Sequence, residues 1–303
     1  IDNESIISNN SKRFFIEVID KQYKALFIAK SPHPDLGSLK NILGDNFEVD
    51  VVFNDDEIPD LTEYDILFMH QIPYTGMGNY EDLKAKVDAS KETPIFYIVG
   101  EGSDFKLFNE IQNSMQINKG AVNSILDIKA HYNQNFGLFN IENEVIESTN
   151  AYPPLFLPHL ELTMKRNHDM LLEMNINDIL TQTPLLSFAI DNDVRKTAFL
   201  LGTGIWRWKL NDYLKNGNDN NFEELFSKSV KYLLTEKDKE LTINYEESYL
   251  NDEPIIFTAD LKNPSQEATN EPDLKIRITN KHSKNYYEYD FLKKDKSYYL
   301  NIN

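Results

Sequence analysis

Apolar positions along the chain follow one rhythm as far as residue 235 and another after it. A β-rich run, Phe14, Phe15, Ile16, Val18 and Ile19, follows the turn cluster Asn9, Asn10 and Ser11. From Lys24 strand and helix patterns alternate. KALFIA is a buried strand; Leu36, Leu39, Ile42 and Leu43 recur at helical spacing; FEVDVVF alternates; YDILFMH is another buried strand; residues 80–89 form a polar helix; and PIFYIV is a third buried strand. That succession implies an α/β fold with a largely parallel, doubly wound sheet covered on both faces.

Residues 103–180 carry weaker periodicity. FKLFNEI is amphipathic, and residues 152–158 form an aromatic and proline loop. LLSFAI and KTAFLL, joined across Asp191, Asn192 and Asp193, form an antiparallel pair. GTGIWRWKLNDYLKN then leads into a helix with Phe222, Leu225, Phe226, Val230, Leu233 and Leu234 on one face, closing the domain near Thr235. Beyond Glu236 five short alternating segments, LTINYEE, PIIFTADL, DLKIRIT, YYEYDF and SYYLNI, have the spacing of a sandwich. The expected organisation is a strand at 1–20 from an upstream β-domain or the sheet edge, an α/β domain at 21–236, and an immunoglobulin-like β-domain at 237–303 lacking its last strand or two.

A length of 303 residues suits about two domains. Hydrophobic residues make up 41%, with 18 Phe and 16 Tyr, enough to fill a core. With 31 basic against 49 acidic side chains the net charge is −18, which disfavours nucleic acid and anionic lipid as partners. The absence of cysteine removes disulfides, thiolate zinc sites and a cysteine nucleophile. No run reaches the roughly 18–20 apolar residues of a membrane span. Because the chain opens on Ile1, membrane anchoring is expected only through segments outside it. No cofactor is expected.

Three stretches bear candidate chemistry. SPHPDLG, residues 31–37, follows the first strand. It resembles the HPDD segment of zinc-dependent N-acetylglucosaminyl deacetylases, in which the His and second Asp bind zinc and the first Asp is the base. His33 and Asp35 match, but Leu36 replaces the second carboxylate and cannot ligate zinc. The favoured reading is a turn fixed by Pro32 and Pro34, with Asp35 capping the helix that follows.

The turn Val99, Gly100, Glu101, Gly102, Ser103 resembles the strand-to-helix elbow of class I glutamine amidotransferases, where a C-x-G pattern carries the nucleophile. Gly100 stands in the nucleophile position. Ser103 with His70 as base is an alternative, weighed against Ser103 as a helix cap. In IWRWKLNDY, Trp206 and Trp208 around Arg207 offer a sugar-stacking platform; the favoured reading is that both indoles anchor the helix and Arg207 pairs with an acid. Asp191, Asn192 and Asp193 are read as a turn rather than a calcium site, and KKDK near residue 295 as a solvated loop.

Together, SPHPD after a strand, YDILFMHQIP, GEGSDF without a nucleophile, and LLGTGIWRWKLNDY before a long helix resemble a family of membrane-anchored, von Willebrand A-associated Bacteroidetes proteins. Their ectodomain is a degenerate class I glutamine amidotransferase-like domain. The resemblance covers roughly 24–235. It implies a flavodoxin-like fold beside immunoglobulin-like modules, facing the periplasm, with a protein or glycan of the cell envelope as partner. The expected function is a non-catalytic binding or scaffold ectodomain whose ligands meet a surface formed by His33, Asp35, His70, Gln71, Glu101, Ser103, Trp206 and Arg207. The alternatives are a hydrolase, using Ser103 with His70 or a metal at His33 and Asp35, and a carbohydrate-binding module using Trp206 and Trp208.

Overall fold

The computed structural model describes residues 22–54, 56–122, 124–192, 194–235, 241–245, 254–262, 268–279 and 286–302. The run expected at 1–20, the boundary at 236 and Asp193 lie outside the described residues.

In chain order the first part comprises β1 (Tyr23–Ala29), α1 (Pro34–Leu43), β2 (Phe47–Phe53), β3 (Ile66–His70), α2 (Tyr80–Ala89), β4 (Ile95–Val99), α3 (Phe105–Ile111), β5 (Met115–Lys119) and β6 (Ile125–Tyr132). It continues with α4 (Asn143–Asn150), β7 (Leu155–Pro158), β8 (Leu160–Met164), β9 (Asp169–Ile176), β10 (Ile179–Asp191), β11 (Arg195–Leu201), α5 (Trp206–Asn216) and α6 (Asn220–Leu234). Nine strands form one sheet in the order β2-β1-β3-β4-β11-β10-β9-β6-β7. From β2 to β11 all pairings are parallel, and from β11 to β7 all are antiparallel. β5 and β8 pair separately.

The apolar runs account for the centre of this sheet. Every residue of β3 and β4 is buried, whereas β2 at the edge alternates between half-buried and exposed. Phe27, Phe68 and Phe96 sit side by side across β1, β3 and β4, with ring centroids 4.4 and 5.6 Å apart. Burying each ring contributes roughly 1.5–3 kcal/mol, and each stacked pair about 1 kcal/mol more. Behind them Arg195, itself buried, donates to the carbonyls of Val87 and Ser90 at 2.5 and 2.9 Å, satisfying the end of α2.

Two expectations change. Residues 152–158 were expected as a loop, yet Leu155 and Leu157 point inward and the segment becomes β7, paired with β6. The helix expected over Phe222 to Leu234 is present as α6, and GTGIWRWKLNDYLKN, expected only to lead into it, forms a helix of its own, α5, ended by Gly217 at φ 76°, a conformation glycine takes at little cost.

All five β-patterned segments at the end of the chain contain strands. They are β12 (Leu241–Asn244), β13 (Ile255–Lys262), β15 (Lys275–Thr279), β16 (Tyr286–Asp290) and β18 (Ser297–Ile302), with β14 (Ala268–Thr269) and β17 (Leu292–Lys294) added. The order β12-β13-β18-β17, with β14 on β13, makes one sheet, and β15-β16 makes a separate ladder. Ala259, Phe291, Tyr298 and Leu300 form the small core of this part. Residues 293–296 are exposed at the β17-β18 hairpin, in keeping with a solvated turn.

Candidate functional site

In the parallel half of the sheet, strand order reverses between β1 and β3, so the chain leaves these neighbours in different directions, the point at whose carboxyl ends open sheets of this kind place ligands. The register pairs Ala29, the last residue of β1, with His70, the last residue of β3. His33 and Asp35, a few residues beyond β1, therefore meet His70. The rings of His33 and His70 lie 4.5 Å apart, and Asp35 Oδ2 lies 3.4 Å from both His33 Nδ1 and His70 Nε2.

Asp35 does not cap its own helix. His33 does so, its Nδ1 accepting the Asp35 N–H at 3.2 Å. The Asp35 side chain is fully buried and turns instead toward the loop before α5, accepting from Gly204 N at 2.9 Å and Trp206 N at 3.1 Å. Burial by itself would raise the Asp35 pKa; the His70 contact and the two backbone N–H groups outweigh it and hold the carboxyl below its usual range. Burial lowers the His33 pKa, against the Asp35 charge, which by itself would raise it.

Next to this cluster lies the elbow after β4. Gln71, at φ 53°, is folded back over it and accepts from Gly102 N through Oε1 at 2.6 Å. A Cβ placed on Gly100 would stand 2.5 Å from Thr203 Cγ2 and 2.8 Å from Gln71 Oε1. Thr203 and Gln71 thus crowd the Gly100 position.

Ser103 and His70 are not joined by a hydrogen bond among the described residues: Ser103 Oγ accepts from Gly100 N at 3.2 Å, and His70 faces Asp35. Nor is Ser103 the cap of α3, since Asp104 accepts from the N–H groups of Lys106 and Leu107.

Of the eight residues expected to share a surface, Asp35, His70 and Ser103 lie beneath it. His33, Gln71 and Arg207 are half-buried, and Glu101 and Trp206 are exposed. The paired-tryptophan platform is also corrected. Trp208 is fully buried, stacked on Tyr152 at 5.2 Å with its Nε1 donating to Pro153 O at 2.7 Å, so only Trp206 of the two reaches solvent. Arg207, expected to pair with an acid, instead lies 4.0 Å over the Phe156 ring and donates to the Pro154 carbonyl. Asp191 ends β10 and its carbonyl accepts from Val194 N at 3.2 Å across the turn, while its buried carboxylate accepts from Asn113 N at 3.1 Å.

The sequence placed His33, Asp35 and His70 on one surface but did not join His70 to the other two as one cluster, although two apolar strands followed by SPHP and ending in MHQ carried a signal for it. Adjacent parallel strands bring the residues at their ends together.

No protein-family model matches the chain, and no curated protein does. Among solved structures it is similar to Gan42B, a GH42 beta-galactosidase, with a TM-score of 0.39 and 9% identity over 91% of this chain and 40% of that one. The chain thus spans about 40% of that protein's length. It is also similar to a Thermoplasma acidophilum protein described as a GMP synthase component, with a TM-score of 0.33 and 12% identity over 68% of this chain and 98% of that one.

Proposed function

We propose that this chain is a non-catalytic binding or scaffold domain: a flavodoxin-like, class I amidotransferase-like α/β domain followed by an immunoglobulin-like β-domain. The observation that carries this reading is the crowding at Gly100. Acyl transfer needs a nucleophile at the elbow and a base beside it. Here the elbow has room for neither a thiol nor a hydroxymethyl group, because Thr203 and Gln71 fill the space that such a side chain would enter. The Ser103 route lacks its base, since His70 is turned to Asp35.

The strand order β2-β1-β3-β4-β11 supports the flavodoxin-like assignment, and folds of that order receive ligands at the carboxyl edge between the first and third strands. His33, Gln71, Glu101 and Trp206 are the reachable groups there. By its sequence resemblance, the chain belongs to a periplasm-facing, membrane-anchored protein of the Bacteroidetes type, with a protein or glycan partner.

The test is turnover. Purified protein incubated with glutamine, nitrophenyl esters and anilides is expected to hydrolyse none of them above background. Turnover abolished by Ser103→Ala overturns the proposal in favour of a serine hydrolase. Turnover that survives Ser103→Ala but is lost to a chelator overturns it in favour of a metal-dependent one.

A further inference from the structure

We propose that His33, Asp35 and His70 form a binding site for one divalent ion of the zinc class, at the carboxyl ends of β1 and β3. One ligand atom from each of the three residues lies within 4.8 Å of the other two. The detailed spacing argues for an ion. His33 Nδ1 accepts the Asp35 N–H and so turns a lone pair, not a proton, into this cluster, and a charge-assisted hydrogen bond from His70 to Asp35 would close to about 2.7–2.9 Å. Both His-to-Asp35 separations are instead 3.4 Å. That is the spacing of neighbouring ligands around a tetrahedral ion, since bonds of about 2.05 Å at tetrahedral angles put ligand atoms roughly 3.3 Å apart.

The donor set fits as well. Two imidazoles and a carboxylate suit zinc, cobalt and iron(II) better than the hard, all-oxygen ions, and three protein ligands leave one position for water or a ligand. Asp35 is oriented from behind by the N–H groups of Gly204 and Trp206, the kind of outer support that ligating carboxylates have. His33 is half-buried and offers a path from solvent, while Asp35 and His70 form the buried floor. On loading, His33 Nδ1 exchanges the Asp35 N–H it accepts for the ion.

The site does not depend on whether the domain is catalytic, and the experiment separates the two. Untagged, chelator-stripped full chain is titrated with Zn²⁺ by calorimetry and with Co²⁺ by visible absorption, and turnover of a nitrophenyl ester is followed in parallel. The expected result is one ion per chain, with a Kd of roughly 1 µM or tighter. His33→Gln and His70→Gln should each weaken binding more than about 10-fold and remove the cobalt band, while His131→Gln changes neither. If His70→Gln does not fold, the half-buried His33 decides alone. No binding at 100-fold higher Zn²⁺, or binding unchanged in His33→Gln, overturns the site. A loaded protein that hydrolyses ester sinks the non-catalytic reading and leaves the site standing; a protein that does neither removes only the site.

Discussion

Adding a single methyl group at Gly100 tests the crowding on which the functional reading rests. The substitution Gly100→Ala places a Cβ 2.5 Å from Thr203 Cγ2, 2.8 Å from Gln71 Oε1 and 3.1 Å from Gln71 Cδ. Ordinary van der Waals contact begins near 3.4 Å, so two neighbours must each yield by more than half an ångström. Gly100 does not have the left-handed φ that disfavours alanine, so the cost is steric rather than conformational. Gln71 resists because its Oε1 is held by Gly102 N, and Thr203 resists because its backbone pairs with Phe156 in both directions at 3.0 Å. Overpacking of this kind costs about 1–3 kcal/mol. Denaturant unfolding read by tryptophan fluorescence measures it, since both indoles lie in α5 beside this loop. Thr203→Ser removes the nearer clashing atom, so the double variant should recover part of the loss, with a coupling of at least about 0.5 kcal/mol. If Gly100→Ala is as stable as wild type within about 0.5 kcal/mol, or if the two changes are additive, the elbow has room and the reasoning fails.

Other outcomes follow from the same contacts. Asp35→Asn, whose single amide oxygen accepts from only one of the Gly204 and Trp206 N–H groups and turns an NH2 donor on the other, should lower stability by about 2–3 kcal/mol in denaturant unfolding; a loss under about 0.5 kcal/mol would deny Asp35 its role in holding the loop. Trp208→Ala should cost about 3–5 kcal/mol against less than about 1 kcal/mol for Trp206→Ala, and similar losses for the two would contradict their different burial. Burial lowers the pKa of His168, whose ring nitrogens lie 3.1 Å from Ser187 Oγ and Ser114 O. Between that lowered value and 6.5 the unfolded chain binds the proton that the folded one refuses, so stability falls as pH drops through this window. His168→Gln should flatten that slope, and an unchanged pH profile would count against it.

The reach of the sequence pattern varied with how local the controlling contacts are. The range 80–89 for α2 and the antiparallel pairing of β10 with β11 were legible, because a helical period and two apolar runs around a short turn are local signals. β6 and β9 were not, since β6 is mostly exposed or half-buried and four consecutive buried residues break the alternation in β9; their pairing with β7, with β10 and with each other completes them as strands. SPHPDLG identified two residues of the site but misassigned Asp35, whose partners lie 169 and 171 residues further along the chain. Trp208 gave no sign of being deeper than Trp206. Two residues apart on a helix they face different directions, and only packing on Tyr152 decides which one is inside.

Because the chain contains no cysteine, Gly100→Cys introduces a single thiol at the position where an amidotransferase-like elbow would carry its nucleophile. The decisive measurement is the rate at which iodoacetamide alkylates that thiol in the folded variant, compared with the rate after unfolding, together with glutaminase turnover. The account predicts alkylation at least about 10-fold slower in the folded state and no turnover, because Gln71 and Thr203 crowd the sulfur and His70 Nε2 faces Asp35. Alkylation faster in the folded protein than in the unfolded one, accompanied by release of ammonia from glutamine, would contradict it.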